Sequence, residues 1–71
     1  MDAKEAKEIA DAAYIAKELP RALHYIKLHA ENGRYKCNVY SSACLVEPLK
    51  EIGFRVEQRT GFVGDYLEVT W

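Results

Sequence analysis

The sequence predicts a small two-layer α+β protein with its elements in the order helix, strand, helix, strand, strand. Three observations carry this prediction. A stretch with helical periodicity fills residues 3–32, short stretches of alternating apolar and polar residues lie at 34–40, 54–60 and 66–71, and a glycine follows each helical stretch. The 71 residues suffice for one domain, 1–71, in which a long kinked helix and a short helix cover one face of a three-stranded sheet.

The first predicted helix begins after Asp2, because an acidic N-cap followed by Glu5 forms a capping box. It ends at Asn32-Gly33, where Gly33 supplies the left-handed residue that closes a helix. Its apolar residues recur every three or four positions, at Ile9, Ala12, Ala16, Leu19, Leu23, Ile26 and Ala30. This spacing places them on one stripe, which must be buried against another element.

Pro20 interrupts this stretch, because its ring crowds the preceding turn and it has no N–H for the carbonyl of Ala16. Two interpretations follow: one long helix kinked near the proline, or two helices that meet there. The apolar register continues through Pro20 without a slip, which favours the kinked helix.

Residues 34–71 are expected to form a β-α-β-β unit. Its helix is capped by Ser42 and closed by Gly53. The apolar residues of this helix stand at i, i+4 and i+7 and are Leu45, Leu49 and Ile52. Pro48 lies inside the helix, so either the first turn is distorted or the regular part begins only near Glu47.

The last two strands, Phe54–Thr60 and Tyr66–Trp71, are expected to pair as an antiparallel hairpin, because a turn region with two glycines joins them. If the first and second strands lie parallel, the helix between them makes a right-handed crossover. The predicted core comprises Ile9, Ala16, Leu19, Leu23, Ile26, Cys37, Val39, Leu45, Leu49, Ile52, Phe54, Val56, Leu67, Val69 and Trp71.

A mismatch in length predicts that the first helix needs a partner. At 1.5 Å per residue, Ala3–Glu31 would extend about 43 Å, whereas a short strand spans only ~20 Å. The sheet therefore covers about half of the helix, and the apolar N-terminal half is left for self-association. The expected oligomer interface comprises Ile9, Ala12, Ala13, Ile15, Ala16 and Leu19.

The charge balance argues against two classes of partner. Ten Lys or Arg against eleven Asp or Glu give a net charge of −1, which provides no general attraction to nucleic acid or to an anionic membrane. No apolar run approaches the ~20 residues of a membrane span. Charges at residues 2–5 also stand where a signal peptide has its apolar core. We expect a cytoplasmic protein without membrane contact.

The residue types that support catalysis or metal binding do not form a recognisable site. Cys37 and Cys44 are expected to be two buried, reduced thiols, with a disulfide, redox or metal role as the alternative. His24 and His29 are five residues apart and lie on different sides of the helix, which does not suit a zinc pair. No glycine-rich phosphate loop with a lysine is present. We expect no cofactor, no metal and no enzymatic activity.

The outer face of the predicted sheet is a candidate for ligand contact. Tyrosine and arginine side chains share it, at Tyr40, Arg55, Arg59 and Tyr66. Tyrosines among arginines on a sheet can stack bases, but Glu57 and Glu68 dilute the positive charge on this face. A solvated face with ordinary cross-strand pairs is therefore the simpler interpretation, and nucleic-acid binding is unfavoured.

Exposed apolar side chains are candidates for partner contact. Phe62 and Val63 at the tip of the hairpin either fold back on the core or contact a partner. Tyr14 and Tyr25 lie on the otherwise polar side of the predicted first helix, where a neighbouring subunit could cover them.

From about Ala30 to Trp71, the layout of structural residues follows a recognisable pattern. A helix ends before a glycine and a tyrosine, a strand follows, and a Ser-capped helix ends in a leucine, a glycine and an aromatic before the closing hairpin. These residues are Gly33, Tyr35, Ser42, Leu49, Gly53, Phe54, Val56 and Trp71. The pattern resembles a set of short uncharacterised proteins encoded by tailed phages. The resemblance implies a phage origin, in the host cytoplasm or the virion, and carries over no functional residues.

The leading hypothesis is a non-enzymatic phage accessory or structural protein that acts through self-association and binding of a phage or host protein. The alternative is an anti-defence factor that inhibits a host protein, or sequesters a nucleotide signal at a subunit interface, in a pocket lined by Arg or Lys with Tyr or Trp. Nucleic-acid binding is the weaker alternative.

Overall fold

The structure, a computed structural model, describes residues 1–71 and confirms the α+β class and the order of elements. The helices are α1, Ala3–Glu31, and α2, Val46–Glu51, and a 3₁₀ turn, Ala43–Leu45, leads directly into α2. The strands are β1, Lys36–Val39, β2, Arg55–Gly61, and β3, Gly64–Thr70.

A single helix, α1, runs through Pro20, so the helix does not divide there and its predicted continuity is confirmed. The kink at Pro20 stays a prediction. The predicted N-cap is present, with Asp2 Oδ1 accepting a hydrogen bond from the backbone N–H of Glu5 at 2.8 Å. An acceptor at this position satisfies one of the N–H groups that the first turn of a helix leaves without a partner.

Both helices end in the same hydrogen-bonded motif, in which a glycine takes a positive φ. After α1, Gly33 N–H donates to the carbonyl of Ala30 at 3.0 Å, and Arg34 N–H to that of His29 at 3.1 Å. After α2, Gly53 repeats the first bond and Phe54 the second, to Lys50 and Leu49. Gly33 and Gly53 have φ of +79° and +101°, which L-residues with a side chain adopt at a cost.

The position of Pro48 is explained by the 3₁₀ turn. Ser42 caps this turn by accepting a hydrogen bond from Cys44 N–H at 3.2 Å. The α-helical part begins only at Val46, one residue earlier than the predicted start near Glu47. Pro48 therefore lies in the first turn of α2, where a backbone N–H needs no helical partner.

The sheet has the order β1-β3-β2, with β3 in the centre and antiparallel to both neighbours. The predicted β2–β3 hairpin is therefore present. Since β1 and β2 both oppose β3, they run in the same direction, which is the condition that the predicted crossover requires.

Ten residues form the core: Ala22, Ile26, Cys37, Val39, Leu45, Val46, Leu49, Val56, Leu67 and Val69. The prediction included most of these but missed Ala22 and Val46. It was wrong for Ile9, Ile52 and Ala16, which are exposed, the first two at 57% and 55%. Leu19, Leu23, Phe54 and Trp71 are half-buried against the core.

The errors in the first helix share one cause, which is a rotation of α1 about its axis. At ~100° per residue, the buried positions Ala22 and Ile26 lie about 90° and about 50° around the helix from the centre of the predicted stripe. The apolar face of α1 is broad, and the sheet covers only one edge of it. Ile9 and Ala16 lie on the other edge and stay in solvent.

Candidate interaction surfaces

The N-terminal part of α1 protrudes from the rest of the protein. Every residue from Met1 to Ala10 is exposed, and the first half-buried position is Asp11. The protein measures 46 × 26 × 16 Å, and its long dimension is close to the ~43 Å expected for a 29-residue helix. The sheet and α2 therefore leave the beginning of α1 uncovered.

Two polar contacts attach the middle of α1 to the segment before α2. The backbone N–H of Ser42 donates to the hydroxyl oxygen of Tyr14 at 2.9 Å. The thiol of Cys44 donates to Asp11 Oδ1 at 3.3 Å, and Lys7 Nζ lies 2.8 Å from Asp11 Oδ2. The hydrogen bond from Lys7, with a smaller effect of that from Cys44, lowers the pKa of Asp11, and the bond to Asp11 raises the pKa of Lys7.

The predicted oligomer-interface residues separate into two groups. Ile15 and Leu19 are half-buried and pack against the core, so they are already partly covered by their own chain. The others form a strip on the exposed side of α1, which we call the α1 strip: Ile9, Ala12, Ala13 and Ala16.

Tyr14 does not lie on the polar side of α1 as the sequence predicted. It is half-buried against the core, and its hydroxyl group contacts Ser42. Tyr25 is 43% exposed, as predicted, and its ring packs edge-on against His29 at a centroid distance of 4.6 Å. Of the two tyrosines, only Tyr25 is free to contact a partner.

Phe62 and Val63 form the tip of the β2–β3 hairpin and do not fold back on the core. Phe62 is fully exposed and Val63 is 81% exposed. Neither residue has a positive φ, and Gly64 takes that conformation instead, with φ of +126°. The structure therefore excludes the alternative in which they fold back on the core, and contact with a partner stays a prediction.

The α1 strip and the hairpin tip lie at the same end of the protein. Since β3 opposes β1, the β2–β3 hairpin extends beyond the C-terminal end of β1. The beginning of α1 extends past the same end, because Tyr14 contacts Ser42, which follows β1. A groove of about 360 Å³ lies between the hairpin and the segment that follows β1. Its lining includes Ser41, Ser42, Thr60, Asp65 and Tyr66.

The candidate ligand residues on the sheet face are only partly brought together. The rings of Tyr40 and Tyr66 lie 5.6 Å apart, and Arg59 stands opposite Tyr66 in the strand register. Arg55 lies farther along β2, opposite Thr70. Arg59 also hydrogen-bonds Glu57 and lies 3.6 Å from Glu68. Both glutamates of this face are therefore paired with Arg59, whereas Arg55 forms no ion pair.

A second groove, of about 320 Å³, lies between the end of α1 and β1. Its lining includes Tyr25, His29, Arg34, Lys36 and Tyr40. Arg34 Nη1 lies 2.9 Å from His29 Nδ1. The sequence analysis missed this site, although one signal was available. Tyr25 and His29 are spaced i, i+4, and the α1–β1 turn is short enough to place Arg34 and Lys36 beside them.

The two cysteines are free thiols in different environments. Cys37 is buried in the core, and this burial raises the pKa of its thiol. Cys44 is half-buried and contacts Asp11 and Ser42. No group of three or more His, Cys, Asp or Glu side chains is arranged to hold a metal ion.

Comparison of the chain with protein-family models, with curated proteins and with solved structures finds no match. Neither helix combines the length and the apolar character that crossing a membrane requires.

Proposed function

We propose that this protein is a non-enzymatic accessory or structural protein that acts through self-association and protein binding at the α1 strip. The observation that carries the proposal is the exposed apolar strip on a helix whose residues before Asp11 are all exposed. The resemblance to short tailed-phage proteins supports a phage origin, and a phage or host protein is then the second partner.

Helix energetics support an interaction at this segment. Isolated helices shorter than about 12–15 residues are marginal in water, and residues 3–10 are exposed on all sides. Packing against a second helix would stabilise them. The alanines of the strip allow two helix backbones to approach closely, and Ile9, 57% exposed, would bury its side chain there. The hairpin tip, with Phe62 and Val63, lies at the same end and extends the contact surface.

Ile9→Asp tests the proposal. The substitution places a charge at the largest apolar side chain of the strip, so we expect the wild-type assembly to dissociate at the α1 contact while the sheet stays folded. The mass is measured by light scattering over a range of concentrations, and the fold by circular dichroism.

Leu28→Asp is the matched control, because Leu28 is a similarly exposed apolar residue, 47%, on the same helix but outside the strip. It should leave the mass unchanged. An Ile9→Asp variant with the wild-type mass, or a wild-type protein that stays monomeric at high concentration, would contradict the proposal.

The groove beside β1 supports a second candidate function, the sequestering of a nucleotide signal. Its lining combines Arg34 and Lys36 with Tyr25 and Tyr40, which supply phosphate-binding and stacking groups. If nucleotides bind here, a panel of mono- and dinucleotides should raise the melting temperature, and Arg34→Ala should abolish the shift. The absence of a shift across the panel would remove this candidate.

A further inference from the structure

The strand β2 forms an edge of the sheet with unpaired backbone groups. Its last residue, Gly61, pairs with Gly64 across a two-residue turn. The backbone groups of Gly61 and of every second residue before it, Arg59, Glu57 and Arg55, therefore point towards β3. The N–H and C=O groups of the residues between them, Val56, Gln58 and Thr60, point to the free side, which we call the β2 edge. The hydrogen bond from Trp71 N–H to Tyr35 C=O, 3.0 Å, agrees with this alternation. It shows that the backbone groups of odd-numbered residues along β3 point towards β1, which leaves those of even-numbered residues to pair with β2.

Apart from its three charged residues, Arg55, Glu57 and Arg59, the β2 edge lacks the features that usually protect an edge strand from pairing. It has seven residues, pairs one-to-one with β3 without a bulge, and contains neither proline nor lysine. The other edge strand, β1, has four residues, begins with Lys36, and is flanked by Tyr25 and His29 of α1. Of the two edges, β2 is the one that is open to another strand.

The charges on β2 are complementary to those of a second β2 in one register. When two copies pair antiparallel with Gln58 opposite Gln58, the whole strand pairs, from Arg55 opposite Gly61 onward. Glu57 then stands opposite Arg59 of the second copy, and Arg59 opposite its Glu57. Sliding by two residues puts Glu57 opposite Glu57 or Arg59 opposite Arg59, which is unfavourable. Sliding by one residue pairs outward-facing backbone groups with inward-facing ones and makes no ladder.

The same register gives the hairpin tip an apolar neighbour. Continuing the pairing past Gly61 brings Phe62, which is fully exposed, level with Phe54 of the second copy. Ile52, 55% exposed, lies two residues before Phe54. Two of the largest exposed apolar side chains therefore fall at each end of the paired strands.

We infer that two copies of this chain pair edge to edge through β2, antiparallel about Gln58, and form a continuous six-stranded sheet with two-fold symmetry. The pairing uses a surface different from the α1 strip and does not rest on the function proposed above. The occupant of the β2 edge is a second copy, because the full-length register matches the strand's own charges.

Charge-reversed variants test this inference in the Ile9→Asp background, which removes the α1 contact. Glu57→Arg makes a strand with two arginines at these positions, and Arg59→Glu makes one with two glutamates. Each variant alone places like charges opposite each other, so its dissociation constant should rise roughly tenfold or more. An equimolar mixture restores opposite charges at both positions and should form a one-to-one heterodimer, measured by sedimentation velocity.

A second variant tests the backbone pairing independently of charge. In the monomer the N–H of Gln58 points to solvent, so Gln58→Pro breaks no internal hydrogen bond. It should fold, as judged by circular dichroism, and should be monomeric in the Ile9→Asp background. Gln58→Ala is the matched control and should remain dimeric. A Gln58→Pro variant that dimerises like Gln58→Ala, or a charge-reversed pair that stays monomeric when mixed, overturns the inference.

These variants separate failure at the β2 edge from failure at the α1 strip. Loss of all association in Ile9→Asp alone supports the α1 contact and overturns pairing through β2. A second outcome is association that survives Ile9→Asp but is lost when Gln58→Pro is introduced, both into the wild-type protein and into the Ile9→Asp variant. This outcome supports the β2 edge and contradicts the function proposed for the α1 strip. A wild-type protein that is monomeric at millimolar concentration overturns both.

Discussion

At the scale of single residues, the two cysteine thiols differ in their exposure to water. The thiol of Cys37, on β1, is buried in the core, whereas that of Cys44 is half-buried beside Asp11. Burial disfavours the thiolate of Cys37 and raises its pKa above the ordinary value of 9.0. The folded protein therefore holds a proton on this sulfur at pH values where the unfolded chain has released it.

This difference predicts a loss of stability in alkaline solution. The contribution of the neutral Cys37 thiol is fully present below about pH 9.0 and is lost as the pH rises through the raised folded-state pKa. Urea titrations should show the free energy of unfolding falling above that pH. The fall should be smaller in Cys37→Val than in Cys44→Val, and equal slopes in the two variants would contradict the explanation.

At the scale of elements, the position of α1 depends on a few contacts at its middle. The first ten residues are all exposed, and the apolar side chains that pack against the core begin with Tyr14 and Ile15. The Tyr14 hydroxyl group binds the backbone of Ser42, at the cap of the 3₁₀ turn. This bond joins α1 to the crossover and helps to set the rotation of α1.

Tyr14→Phe should therefore weaken the protein. The variant keeps the ring but removes the acceptor for Ser42 N–H, so we expect the free energy of unfolding to fall by roughly 0.5–1.5 kcal/mol. Tyr25→Phe is the matched control on the same helix and should have almost no effect. Chemical denaturation measures both, and equal stabilities of the two variants would show that the Tyr14 bond contributes nothing.

At the scale of the whole molecule, the two proposed contacts lie on different parts of the surface. The α1 strip is at one end of the 46 Å long dimension, and the β2 edge runs along one side of the sheet. Each of the two contacts is isologous, so each joins two copies about its own two-fold axis. When one chain uses both contacts, the chains form an open array unless the two axes belong to one closed point group. Such growth would suit a structural part of a larger assembly, and either contact alone stops at two chains.

Local signals in the sequence were sufficient to predict the secondary-structure elements and where each of them begins and ends. Asp2, Gly33, Ser42 and Gly53 act on the backbone within a few residues, so their roles as caps could be inferred without the rest of the chain. The alternation in β2 and β3 likewise predicted the hairpin. The exposed tip at Phe62 was identified as one of two alternatives, since loop residues are apolar for either reason.

The surfaces depended on how the elements are placed together. Helical periodicity indicated that α1 has a broad apolar face, but the edge that meets the sheet is chosen by contacts such as Tyr14 with Ser42, which join residues 28 positions apart. The groove near Arg34 and the free edge of β2 also arise only when β3 takes the central position. The sequence by itself determined the elements, their ends and the excess length of α1, because these depend on nearby residues. Only the tertiary structure decided which face of α1 and which strand edge remain open, because those depend on packing between distant parts of the chain.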